Sequence, residues 1–306
     1  MTKNSVIIVG SANMDLVAQV DRYPQPGETV FGKKFGIYPG GKGANQAVAC
    51  AKLGADTIFI GKMGDDIFRD RLVNNMESNG VHMEEIFIDS ETPTGVALIY
   101  VDADGQNEIV VVSGSNMRLT ESDIRSKEKL FERAKIVLCQ LEIPLSAVEA
   151  AAILAKKNGA VFILNPAPAC KLPASLLNGI DFLIPNEIEL SFLTGQSVTD
   201  RASVISSSRK LINTGVCNVI TTRGENGAIL VNSDSWQEFP ATPVKAVDTT
   251  AAGDAFNGAF AAALASGKPV NEAIPFANKV AAWSVTKQGA QTSMPTLADI
   301  SNYLNQ

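Results

Sequence analysis

Histidine is almost missing from this chain: His82 is the single one among 306 residues. Zinc sites with two or three histidine ligands are thereby excluded, and so is a Ser-His-Asp triad unless His82 itself serves. His82 follows Asn79-Gly80 at a helix-to-strand turn and reads as a surface residue, so acid–base chemistry falls to carboxylates. Cysteine is scarce as well. Cys50, Cys139, Cys170 and Cys217 lie far apart with no C-x-x-C pair, a pattern of reduced thiols that supports neither zinc nor a disulfide framework. No stretch approaches the ~20 apolar residues of a membrane span. The run from Val6 to Val9 is too short for the core of a signal peptide, so the expected location is the cytoplasm. A net charge of −6 without a long Lys/Arg run argues against nucleic acid as a partner. The pairs Lys33-Lys34 and Lys156-Lys157 read as solvated ends of elements.

What is present is an ordinary globular composition in which strand and helix patterns alternate. Residues 5–10 are a β-branched run, the first buried strand, ending in the small polar segment 10–15. Strand patterns at 56–60, 136–141, 160–164, 182–184 and 219–222 alternate with helical ones at 65–79, 120–133, 145–157 and 200–213. That alternation predicts a largely parallel, doubly covered sheet. Two groups of strand-like pieces stand outside it: 16–21 with 29–38, and 86–89 with 95–102 and 108–113, the last two joined by the turn Asp102-Ala103-Asp104-Gly105. They are expected to pair as a β lid over the carboxyl edge of the main sheet. A helix over 271–286 carries Pro275, and proline is tolerated only in about the first turn. Its proper start is therefore expected at Ala273 or Ile274. With no repeat or linker, residues 1–306 read as one domain with an embedded lid.

The chemistry-bearing residues gather just beyond strand ends, where open α/β sheets bind ligands. Asn13 and Asp15 follow the first strand, Glu142 another, then Asn165, then Asn186 and Glu189, then the segment Thr222-Arg223-Gly224-Glu225-Asn226-Gly227. Glu142 and Glu189 are of the type that holds magnesium, which takes one or two carboxylates and keeps several waters. The glycine-rich segment can present amides to phosphate or lie flat against a base. Gly40-Gly41-Lys42-Gly43-Ala44-Asn45 opens a helix but satisfies neither familiar glycine motif. Gly43 stands where a P-loop needs Ser or Thr, and Gln46 where a dinucleotide fingerprint needs its third glycine. What remains is a turn that lets backbone approach a ligand, with Lys42 and Asn45 able to reach hydroxyls or phosphate.

Residues 247–260 (Val-Asp-Thr-Thr-Ala-Ala-Gly-Asp-Ala-Phe-Asn-Gly-Ala-Phe) form a hydroxyl-rich approach to a helix of small residues. Either Thr249 or Thr250 can act as N-cap, which leaves the amides of Ala252, Gly253 and Asp254 in the first turn. Such a start attracts an anion. An anion pocket beside the Asp254 carboxylate suggests phosphoryl transfer to a hydroxyl. An aspartate in a first turn commonly does no more than complement the helix dipole, so this stretch alone does not decide the matter.

Two strings, Gly40-Gly41-Lys42-Gly43-Ala44-Asn45-Gln46-Ala47 and Asp248-Thr249-Thr250-Ala251-Ala252-Gly253-Asp254-Ala255-Phe256, resemble the two signatures of the PfkB-type carbohydrate kinases, most closely those of the ribokinase group. Asn186-x-x-Glu189 agrees, and the resemblance covers nearly the whole chain. It implies a three-layer α/β/α fold with a mainly parallel sheet and a β lid, formed from about 14–38 and 92–113, that often makes a homodimer contact. It implies transfer of the ATP γ-phosphoryl group to the 5-hydroxyl of D-ribose. The segments Asn13-Met14-Asp15 and Gly41-Lys42-Gly43-Ala44-Asn45, with Glu142, would hold the sugar. Asp254 would be the base, and Ala251, Ala252 and Gly253 the anion hole. Asn186, Thr222, Arg223, Gly224, Glu225, Asn226, Gly227, Gly253, Asp254 and Asn278 would serve the ATP site, with Glu189 helping to organise magnesium indirectly. Asp248, Thr250, Ser284, Lys287, Gly289 and Ser293 match a site for an activating monovalent cation, usually potassium. The chain departs from the family pattern at 113–117, at Asn278, where histidine is frequent, and at Arg223. Rival readings are a kinase for 2-deoxyribose, another sugar or a nucleoside, and a sugar-binding regulator without catalysis.

Overall fold

The computed structural model describes residues 5–304. Ser5–Val9 is buried at every position, and its alternate side chains feed two cores: Val6 and Ile8 on one face, Ile7 and Val9 on the other. It pairs in parallel with Ala134–Cys139 on one side and Asp56–Ile60 on the other. The full sheet has nine strands, in the order Trp236–Phe239, Ala228–Asn232, Asn218–Thr222, Phe182–Leu183, Val161–Leu164, Ala134–Cys139, Ser5–Val9, Asp56–Ile60 and Val81–His82. All pairings are parallel except the two made by Ala228–Asn232. From Ser5–Val9 the chain builds outward first one way and then the other. The order therefore reverses between Ser5–Val9 and Ala134–Cys139, which makes the crevice beyond their carboxyl ends the expected ligand site.

Lys42–Lys52, Ala252–Ala265 and Val270–Ser284 cover one face, while Leu145–Lys157, Glu187–Thr194 and Arg201–Ile212 cover the other. This is the expected three-layer α/β/α arrangement. Small residues let two of these helices touch. A Cβ on Gly258 would lie 2.6 Å from the Gln46 carbonyl oxygen and 2.6 Å from the Ala49 Cβ, so Ala252–Ala265 and Lys42–Lys52 cross nearly backbone to backbone. That crossing brings the starts of both helices to the sheet's carboxyl edge.

A second, four-stranded sheet forms over that edge, in the order Gly32–Gly40, Asn13–Val20, Gly95–Val101, Asn107–Val112. It corresponds to the expected lid with one correction. Phe87–Asp89 does not join it but pairs in parallel with Lys62–Gly64 as a separate two-stranded ribbon. Other boundaries also differ. The segment expected as one helix over 120–133 is two, Glu121–Ser126 and Glu128–Phe131. The hairpin of Ala228–Asn232 and Trp236–Phe239 extends the sheet by an antiparallel edge that strand–helix alternation does not announce. Val270–Ser284 begins at Pro269, whose carbonyl accepts from the amides of Glu272 and Ala273. Pro275 thus lies inside the helix and removes one bond, to the Asn271 carbonyl, without delaying the start. No helix among the described residues is long and apolar enough to cross a membrane.

Candidate active site

Asn13 and Asp15 stand two apart on the first lid strand and share a face; Met14, between them, turns into the hydrophobic core and is 1% exposed. Its side chain belongs to the core, unlike those of Asn13 and Asp15. Gly40 lies opposite Asn13 on the paired strand, where a Cβ would come 2.3 Å from the Asp15 carboxylate, so glycine makes room for it. The Asn13 Oδ1 accepts from Asn116 Nδ2 at 2.7 Å, and Asn116 also clamps both main-chain groups of Ala12. The segment 113–117, where the chain departs from the family pattern, thereby anchors the start of the strand that carries Asn13 and Asp15.

Gly41 has φ +88°, and a Cβ there would meet the Asn13 amide nitrogen at 2.7 Å. Only glycine fits that turn. It starts Lys42–Lys52 so that the Lys42 amide donates to Glu142 Oε2 at 3.0 Å, an oxygen that also accepts from Ser11 Oγ. Gly43 packs its backbone on Ser11, and Ala44 is fully buried in the core, so both shape the loop without offering a side chain. The Lys42 ammonium stays protonated more firmly than usual because Asp254, then Glu142 and Glu189, outweigh its desolvation.

Asp254 sits in the first turn of Ala252–Ala265, 6% exposed. Its Oδ2 accepts from Asn45 Nδ2 at 2.9 Å and its Oδ1 from Gln46 Nε2 at 2.9 Å. Burial pushes this carboxyl up; Lys42 and the two amides pull it back without restoring the ordinary value. Burial, Glu142 and Asp254 push the Asp15 carboxyl up to about 7. The three carboxylates are close enough to disturb one another, yet among the described residues no group of three or more His, Cys, Asp or Glu is gathered tightly enough to hold a metal. Such spacing suits a polyol, whose hydroxyls donate to acceptor-only carboxylates.

The start of Ala252–Ala265 differs from expectation. Neither Thr249 nor Thr250 caps it; the N-cap is Ala251, at φ +59°, the one non-glycine residue with positive φ among the described residues. A left-handed alanine costs on the order of 1–2 kcal/mol, and such strain concentrates at functional turns. Among the described residues the Gly253 and Asp254 amides have no acceptor, while Ala252 N reaches the Thr249 carbonyl at 3.3 Å. A Cβ on Gly253 would meet nothing within 4 Å. The fold does not need glycine there, but an approaching anion does.

Those amides open onto a cavity of about 730 Å³ lined by Thr222, Gly224, Glu225, Asn226, Gly227, Gly253 and Asn278, all expected at a nucleotide site. Its apolar wall comes from Phe256, Ala281 and Val285 and, in an irregular stretch that no spacing rule marks, from Ala241, Pro243, Val244 and Ala246. Asn278 donates to the Phe239 and Pro240 carbonyls at 3.2 Å each. Three expected residues have protein partners of their own. Asn186 and Glu189 bond each other as a capping box at the start of Glu187–Thr194. The Arg223 guanidinium is held by Glu187 at 3.1 Å and Glu238 at 2.9 Å, so it struts the loop and does not line the cavity.

Oxygen donors near the anion turn suit hard cations. Asp248 accepts from the Thr250 and Gly289 amides at 2.9 Å each; burial pushes its carboxyl up, but the Thr250 hydroxyl and these amides outweigh it and hold the carboxyl low. Of the expected cation residues Asp248 alone offers a carboxylate, so the other donors to a monovalent cation would have to be main-chain oxygens. The Ser284 and Ser293 hydroxyls donate to carbonyls of their own turns, and the Lys287 ammonium lies over the Trp283 ring, so none of these side chains is arranged as a donor set. Glu189, pushed up by burial, fits magnesium as a lone carboxylate partner beside phosphates.

Residues 3–297 match the model of the pfkB family carbohydrate kinases. A ribokinase of Haemophilus influenzae is 41% identical over 302 residues, covering 99% of each chain. A deoxyribokinase of Salmonella typhi is 38% identical over 301 residues, covering 98% of each. The structure of Arabidopsis thaliana ribokinase complexed with ribose and ATP covers 100% of both chains with a TM-score of 0.93 at 34% identity. The likeness runs through both helix starts that meet at Asp254 and through the lid above them, and it fixes the affiliation: the chain belongs to the pfkB family of carbohydrate kinases.

Proposed function

We propose that this chain transfers the γ-phosphoryl group of ATP to the 5-hydroxyl of D-ribose, giving D-ribose 5-phosphate and ADP. The observation that carries this reading is that Asp254 bridges two sites. Its carboxylate is held by the amides of the sugar loop, while the amides of its own helix turn open onto the nucleotide cavity. Relatives of similar identity point the same way: ribokinases of several organisms align over nearly their full length.

Asp15 and Asn13 take the sugar hydroxyls and place the 5-hydroxyl beside Asp254. The Asp254 carboxylate accepts the hydroxyl proton as the oxygen bonds to the γ-phosphorus and the bond to the bridging oxygen of ADP breaks. The free first-turn amides of Gly253 and Asp254, with Lys42, stabilise charge on the transferring group, so positioning and electrostatics do most of the work. Glu189 would help hold magnesium on the phosphates, and Asp248 with oxygens of Thr250, Ser284, Lys287, Gly289 and Ser293 would hold potassium; both ions would supply fixed positive charge beside the transferring group. Association through the lid as a homodimer and residence in the cytoplasm, where ATP is supplied, complete the reading.

A positioned base contributes typically ~10²–10⁴-fold; Asp254→Asn should lose at least ~10²-fold in kcat while ribose and ATP still bind, and a near-normal kcat removes Asp254 as the base. The reaction itself is tested by coupled ADP release with D-ribose and 2-deoxyribose, with and without potassium. D-ribose should be preferred, potassium should activate, and ATP without sugar should release little ADP. Preference for 2-deoxyribose transfers the assignment to the reading that the Salmonella relative represents.

A further inference from the structure

Asp254 is approached by amides from two directions. A carboxylate only accepts hydrogen bonds, so Asn45 and Gln46 must both turn their NH₂ groups toward it. Their oxygens then face away, and each needs a donor. The Gln46 Oε1 receives Gln140 Nε2 at 2.7 Å. The Asn45 Oδ1 receives Gln291 Nε2 at 3.1 Å, and the Gln291 Oε1 receives Asn75 Nδ2 at 2.5 Å. Every donor points inward: Gln140 to Gln46 to Asp254 from one side, Asn75 to Gln291 to Asn45 to Asp254 from the other. Gln46 and Gln140 are fully buried, and Gln291 and Asn45 nearly so. Gln46 also donates to Asn165 Oδ1 at 3.1 Å, whose own NH₂ is held by the Ile184 carbonyl.

The chain of amides ends on an unsatisfied atom. Only two buried side-chain polar atoms among the described residues lack a partner, Gln140 Oε1 and Asn257 Oδ1. Gln140 directs its NH₂ into the chain. Asn257 directs its own to the Gly253 carbonyl at 2.8 Å, one turn from Asp254. Both orphans thus belong to amides committed to the surroundings of one carboxylate, where a buried unpaired oxygen is otherwise rare.

We propose that Gln46 is the positioning residue for Asp254, fixing the plane of its carboxylate toward the sugar hydroxyl, and that Gln140 and Gln291 act through Gln46 and Asn45 to hold that plane. The inference rests on the reaction proposed above. The Gln291 arm leaves from the turn 289–293, whose Gly289 amide holds Asp248, so the position of that turn reaches the base through two amides.

Gln46→Met keeps the bulk and removes the bond. Misplacing the base should lower kcat by about 10- to 100-fold, with KM for ribose and ATP within about threefold. Losing a hydrogen bond to the charged form also raises the carboxyl pKa, so the acid limb of kcat should move to higher pH by about half a unit or more. The charged groups facing Asp254, namely Lys42, Glu142, Asp15 and Glu189, are untouched by the substitution. The same upward move should be seen without substrate, in the ¹³C carboxyl titration of Asp254 in the free protein, identified by its loss in Asp254→Asn. Gln140→Met, which also removes the orphan oxygen, should shift both readouts in the same direction by less, and it decides the matter if Gln46→Met does not fold. A lowered melting temperature with the acid limb and carboxyl titration unmoved overturns the proposal. Failure of the parent protein to release ADP with any sugar overturns the reaction reading instead, while the carboxyl titration still decides the relay.

Discussion

At the residue scale, Asp15 shows how the site sacrifices stability for binding. Burial, Glu142 and Asp254 push its carboxyl up to about 7, and no hydrogen bond to it forms among the described residues. The folded pKa lies above the ordinary carboxyl value of 3.8 that the unfolded chain keeps, so the group opposes folding wherever it is made to ionise. The effect is nil below about pH 4, grows through the interval to about pH 7 and is complete above it. Asp15→Asn should therefore melt higher than the parent protein at pH 8 and no differently at pH 4, while ribose binding weakens at least ~100-fold. Calorimetric melting at the two pH values and ribose titration check this; equal melting at pH 8 removes the repulsion argument. Hydroxyl donors favour the ionised form, so KM for ribose should rise as pH falls from 8 to 5.5. Met14, between Asn13 and Asp15, is by contrast a core residue, a distinction the strand's period of two imposes.

At the element scale, the site exists because two helices of small residues cross in contact. Gly258 against Gln46 and Ala49 sets their separation, and the separation sets the reach of Asn45 and Gln46 to Asp254. Gly258→Ala should cost about 1–3 kcal/mol through overpacking and, by displacing the amides, lower kcat by about tenfold or more. Denaturant unfolding and steady-state rates together test it: a loss of stability with unchanged kcat would mean that the helix spacing does not govern the base. The left-handed Ala251 belongs to the same element. It turns the chain so that first-turn amides face a cavity, where a threonine cap would have occupied them.

At the scale of the whole molecule, the lid leaves an apolar edge uncovered. Ile109, Val110, Val111 and Val112 are each about half exposed on its outer strand, with Phe35 and Tyr38 exposed on another strand of the same sheet. An edge strand of this kind invites pairing with a second copy. Val110→Lys should convert a dimer to a monomer in sedimentation equilibrium, and a parent protein that is already monomeric discards the lid dimer. Lid and sheet also divide what was legible in the sequence from what was not. The strand-and-helix alternation, both glycine-rich helix starts and the polar residues beyond strand ends are local patterns. Backbone geometry and burial write them into short stretches, so Asp254, Asp15 and Glu142 could be picked out one by one. Partners distant in sequence were decided only by packing. The fold turned Phe87–Asp89 away from the lid, gave Arg223 to two glutamates, put Ala251 in place of a threonine cap, and set Gln46, Gln140 and Gln291 around one carboxylate. A glutamine's neighbour 94 or 246 positions away leaves no periodicity to read; it is settled only when the helices meet.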